Sequence, residues 1–137
     1  MTSILVTFLN IRLYLDFGGT MERLEIKVIE IRGRCPVFRV GDRIVIEGPR
    51  IKLDETDAIC THAFASLLPY IVALRKGIKP SELGLGRGDK AYVQCLDPGP
   101  PYTDGGTVIF EITVIRDEAE ESVAGSEGGN RRSGHNR

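Results

Sequence analysis

Apolar and polar residues alternate at Leu24, Ile26 and Val28, the two-residue period of a strand with one buried face. The alternation breaks at Ile29, which predicts a bulge or burial on both sides. This first strand is predicted over residues 24–31. It ends at Arg32-Gly33-Arg34-Cys35-Pro36, where Pro36 lacks a backbone donor and holds Cys35 extended. Residues 37–40 read as a short continuation and Gly41-Asp42 as a turn. Residues 43–47 read as a second strand with Ile44 and Ile46 on one face, stopped by Gly48-Pro49. A connector follows over residues 50–57, extended at 51–53, with Asp57 placed as a helix N-cap.

The period then changes. Cys60, Phe64, Leu67, Leu68, Ile71 and Leu74 fall at helical spacing and predict a helix over residues 58–76. Pro69 lies inside it and predicts a kink or two abutting helices. Arg75-Lys76-Gly77 is a helix stop, with cations near the negative end. Residues 81–83 read as one extra helical turn, and Gly84, Gly86 and Gly88 mark a loop. Residues 90–95 form a third predicted strand, with Ala91, Val93 and Cys95 on one face. The fourth, over residues 107–116, alternates Val108, Phe110, Ile112 and Val114 against Ile109, Glu111, Thr113 and Ile115. The order strand, strand, helix, strand, strand predicts an α+β domain. Its sheet has about four strands, antiparallel or mixed, under one kinked helix layer. An interior this thin leaves stability to be gained from homo-oligomerisation.

Both ends depart from this pattern. Residues 1–20 carry apolar runs with no turn chemistry joining them to the first predicted strand. They read as an N-terminal extension, with Met21 as the native start and Phe17-Gly18-Gly19-Thr20 as a translated ribosome-binding sequence. A real N-terminal strand or swapped arm is the alternative. Residues 117–137 hold almost nothing apolar and read as a disordered tail.

The chain has 137 residues and a formal net charge of −1, enough for a single domain over residues 21–116. Charges of both signs are mixed along it, so no basic footprint for nucleic acid stands out. The longest apolar-leaning run, residues 4–17, contains Asn10, Arg12 and Asp16 and is too short to span a bilayer. It also lacks the leader and cleavage pattern of a secretory signal. The expectation is a cytoplasmic protein without a membrane partner, its three cysteines reduced.

Those cysteines sit at element ends, where ligands and nucleophiles project: Cys35 after strand one, Cys60 in the first helical turn, Cys95 at the end of strand three. They share an edge only if residues 50–57 carry the chain back across the sheet. At roughly 3.3 Å per extended residue the connector is long enough. Three converging thiolates suit zinc with a fourth ligand, or an iron–sulfur cluster with one iron left open. Sulfurs sharing a zinc ion at about 2.3 Å lie within roughly 4 Å of one another. Against this stands the plain reading of cysteine as a small buried apolar residue. His62, two positions from Cys60, points to the far side of a regular helix, joins the cysteines only if the first turn is irregular, and otherwise reads as a surface or capping residue.

The stretch 94–106 follows Cys95 with a shaped proline- and glycine-rich loop. It carries Asp97, Tyr102 and Asp104, and Gly105-Gly106 allows a ligand close to the backbone. Asp97, Tyr102, Asp104 and Gly105 are therefore the candidate cofactor-binding residues. The two aspartates read equally as turn residues capping backbone donors. Gly84-Leu85-Gly86-Arg87-Gly88 precedes a strand rather than a helix, which removes it as a phosphate cradle.

Several motifs stand out together along the core: Gly33-Arg34-Cys35-Pro36, Gly41-Asp42, and Cys60 ahead of Leu67-Leu68-Pro69-Tyr70. Ala73-Leu74 with Gly77 come next, then Cys95-x-Asp97-Pro98 before a final Val-x-Phe strand. On them, residues 24–115 resemble an uncharacterised family of small microbial three-cysteine proteins. The resemblance implies that Cys35, Cys60 and Cys95 belong to one pattern and that Met21 is the usual start. It implies no activity. Three functions remain open: a metal or iron–sulfur centre for redox or Lewis-acid chemistry, a metal-free thiol redox protein, and a structural or interaction module with buried cysteines.

Overall fold

The computed structural model describes residues 22–116. The extension over 1–20 and the tail over 117–137 lie outside the described residues. The described residues form an α+β unit, with strands β1 (Arg23–Gly33), β2 (Arg43–Glu47), β3 (Arg50–Ile51), β4 (Ala91–Gln94) and β5 (Gly106–Ile115) and one helix, α1 (Thr61–Arg75). The sheet has five strands in the order β3-β2-β1-β5-β4, and every pair is antiparallel. The expected count of four missed β3, a two-residue edge strand paired to the end of β2.

β1 and β5 form the spine, in register from Arg23↔Ile115 to Gly33↔Gly106. The ladder slips at Ile29: Val28 pairs with Phe110 and Glu30 with Ile109. A bulge shifts the side-chain phase by one. Leu24, Ile26 and Val28 are buried before it, and Ile31 packs against the same core after it. On β5, Val108, Phe110 and Ile112 face that core, and Ala91 and Val93 do so from β4. Residues 37–40 are not a strand. They form a loop that lays Phe38 edge-on against Phe110, ring centroids 5.4 Å apart.

α1 covers this face with Ala63, Leu67, Ile71 and Leu74. Leu67 is fully buried, and such burial stabilises by roughly 1.5–3 kcal/mol. Leu68, expected in the buried stripe, is 58 % exposed. The kink expected at Pro69 is not shown, for α1 runs uninterrupted from Thr61 to Arg75. Pro69 leaves the Ala65 carbonyl without its helical donor, but both residues are exposed, so water can satisfy it. The helix ends at Gly77, φ +89°, where the Ile78 N–H reaches back to the Ala73 carbonyl at 3.1 Å. Residues 81–83 are turns rather than helix.

The start of α1 is later than expected, and the reason is Asp57. Its carboxylate accepts the Arg43 N–H at 2.8 Å, and its own N–H donates to the Arg43 carbonyl at 2.9 Å. Asp57 thus staples the connector to the outer edge of β2 instead of capping the helix. Before it, the Lys52 N–H donates to the Val45 carbonyl and the Val45 N–H to the Thr56 hydroxyl. A 3-10 turn at Leu53–Glu55 takes up the slack. The connector therefore runs back along β2 and releases the chain beside the Gly33 end of β1. α1 starts there and ends beside the β2–β3 turn, where Arg75 donates to the Gly48 carbonyl.

Candidate functional site

Three element ends meet where β1 stops, β5 starts and α1 begins. Cys35 follows β1. Because Pro36 has no N–H, the next donors are those of Val37 and Phe38, and both point at the Cys35 Sγ, at 3.4 and 3.3 Å. Cys60 is the N-cap of α1, extended at φ −128°, ψ 133°, and no side chain caps the first turn. Cys95, 6 % exposed, follows β4, and its Sγ accepts the Val108 N–H at 3.2 Å. All three cysteines are free thiols. All three line one cavity of about 310 Å³, together with Thr61, His62, Ala63, Asp97, Gly105 and Gly106. A water molecule fills about 30 Å³, so this space suits an occupant of several atoms.

The loop after Cys95 forms one wall. The Asp97 Oδ1 accepts the Gly99 N–H at 2.9 Å and the Thr103 hydroxyl, and the Asp97 carbonyl accepts the Thr107 hydroxyl at 2.7 Å. The Thr103 hydrogen bond, then that of Gly99, holds the Asp97 carboxyl below its usual range. Burial opposes this, while the Gly106 N–H and the nearby His62 charge add to it.

The glycine pair serves packing inside the chain. A Cβ at Gly105 would lie 2.0 Å from the Asp97 Oδ2. A Cβ at Gly106 would lie 2.5 Å from the Arg32 carbonyl oxygen and from the Arg34 nitrogen. The Arg34 N–H in turn donates to the Gly105 carbonyl at 3.1 Å, closing the β1–β5 end.

Of the residues singled out in the sequence, Cys35, Cys60, Cys95, Asp97 and Gly105 are brought to the cavity. Tyr102, 82 % exposed, and Asp104 lie on the outer side of the loop and do not line it. His62 does line it, contrary to expectation. Residues 60 and 62 would face opposite sides only with Cys60 inside the helix. As an extended N-cap it lies before the first turn, so residues 60 and 62 front the same space. Thr103 and the Val37 and Phe38 donors were also missed. The only signal for Thr103 was a hydroxyl in the same loop as Asp97.

Among the described residues, no group of three or more His, Cys, Asp or Glu side chains stands in a geometry to hold one metal ion. No helix among them is long and apolar enough to cross a membrane. No protein-family model, no curated protein and no solved structure matches the chain, so the reading of this site rests on its own residues.

Proposed function

We propose that the protein binds an iron–sulfur cluster in this cavity, with Cys35, Cys60 and Cys95 as ligands, and serves in redox chemistry. The observation that carries this reading is the sharing of one cavity of about 310 Å³ by three free cysteines. A single zinc ion would need the sulfurs around one point. A cluster spreads its thiolates over several irons and fills a larger space. Backbone N–H donors already aim at two of the sulfurs, and such hydrogen bonds tune cluster potentials. The N-terminus of α1 adds positive partial charge beside a centre of thiolate ligands.

The test is anaerobic purification followed by reconstitution with iron and sulfide. The expected result is bound iron and sulfide with a charge-transfer band in the visible, both lost in Cys95→Ala. Wild-type protein that emerges colourless and iron-free after reconstitution defeats the proposal.

Three free thiols lining one cavity also support a second reading, metal-free thiol chemistry. Two of the thiols would give two electrons and two protons to a disulfide substrate, becoming a disulfide as the substrate becomes two thiols. Titration of thiols after oxidised glutathione would then show two fewer per chain. Three retained thiols would remove this reading.

A further inference from the structure

We infer that His62 supplies the fourth protein ligand of the centre, completing a three-cysteine, one-histidine set; this rests on the cluster reading above. Three thiolates leave one position of the centre without a protein ligand. Besides the cysteines, the cavity wall offers side-chain oxygen or nitrogen from Thr61, His62 and Asp97 alone. Asp97 is committed elsewhere. Its Oδ1 holds Gly99 and Thr103, and its carboxylate is wedged so closely against Gly105 that no Cβ fits there. Turning it into the cavity would undo the loop. Thr61 has only a neutral hydroxyl, a poor ligand for iron. Imidazole is a good one.

His62 is also free to move. Its side chain is exposed, and among the described residues no hydrogen bond fixes the ring. It stands two residues after Cys60 at the open end of α1, so both residues line the cavity from the same short stretch of backbone. The Asp97 carboxylate, held in the loop, lines the same cavity as His62. Chemically, imidazole in place of thiolate raises the potential of an iron–sulfur centre. A fourth protein ligand also closes the position at which a Lewis-acid site would bind substrate. The centre is thereby assigned to electron transfer.

The experiment is pulsed electron paramagnetic resonance on the full chain, anaerobically reconstituted with iron and sulfide and then reduced. The chain has two histidines, which makes the assignment decisive. The wild type should show the strong nitrogen-14 coupling of an iron-bound imidazole. His62→Ala should lose it while iron remains bound, and His135→Ala should keep it. A cluster present in the wild type without that coupling overturns the histidine ligand and leaves the cluster standing. So does a coupling that survives in His62→Ala. A wild type that takes up no iron overturns both.

Discussion

The two ends of the sheet are fastened by different means. At the end where α1 stops, the fastening is charge. Arg75, its side chain only 13 % exposed, donates to the Gly48 carbonyl and lies 3.4 Å from the Glu22 carboxylate. Arg23 pairs with Glu55 and, at 3.9 Å, with Glu47. At the end where α1 starts, no ion pair among the described residues includes a residue of the cavity wall. There the fastening is backbone against backbone at Gly33, Gly105 and Gly106. The helix is thus tied down at its C-terminus by a cation, while its first turn has no side-chain cap. The ion pairs and the three-cysteine cavity occupy opposite ends of one sheet.

This contrast fails first if the glycine end is loose. Gly106→Ala should destabilise the protein by about 3 kcal/mol, because the new methyl meets backbone on two sides. Denaturant unfolding measures it, and a midpoint like that of the wild type would show that the end yields. Next comes the charged end. Arg75→Ala should cost about 2 kcal/mol, the scale of hydrogen bonds to charged groups, while iron binding per folded chain stays unchanged. A fall in iron binding would mean that the two ends are not independent.

The converse holds at the cavity. Cys35→Ala should cost only about 1 kcal/mol, since the residue is half-buried and little volume is removed, yet iron binding should vanish. A variant that binds iron as the wild type does would remove Cys35 from the ligand set.

A smaller effect tests the Asp97 wall by pH. Its folded carboxyl titrates below the unfolded one, so its stabilising contribution is present above about pH 4 and fades as pH falls through the folded value. Asp97→Asn should therefore be less stable than the wild type at neutral pH and converge with it in acid. A difference that stays constant down to acid pH would refute this. The smallest effect is expected at Tyr102, on the outer side of the same loop. Tyr102→Ala should change stability by less than about 0.5 kcal/mol and leave iron binding intact.

Much of this architecture was legible because burial imposes periods. The alternations at Leu24–Ile26–Val28 and Val108–Phe110–Ile112 are strands in the structure, and the break at Ile29 is a bulge. What escaped was decided by partners rather than by period. β3 is too short for a pattern of its own and exists because β2 has an edge to pair. Asp57 does cap a backbone donor, but that of Arg43 in the sheet. That choice delayed the helix to Thr61 and turned His62 from the far side to the cavity. Gly105-Gly106 read as room for a ligand, and the room is taken by Asp97 and by the Arg32–Arg34 backbone. In each case one carboxylate or backbone strand from a distant part of the chain chose between two local readings of equal merit.

The β1–β5 ladder has a consequence in time. It joins the first described strand to the last, so closing it must hold everything between as one long loop, and long-range closure is slow. The cavity depends on that closure, because Gly106 meets β1 only when the ladder forms at its Gly33 end. During synthesis, then, Cys35 and Cys60 leave the ribosome with no site to belong to. The proposed centre would then be loaded only after the last strand has docked, and a nascent chain lacking β5 would be a poor acceptor for it.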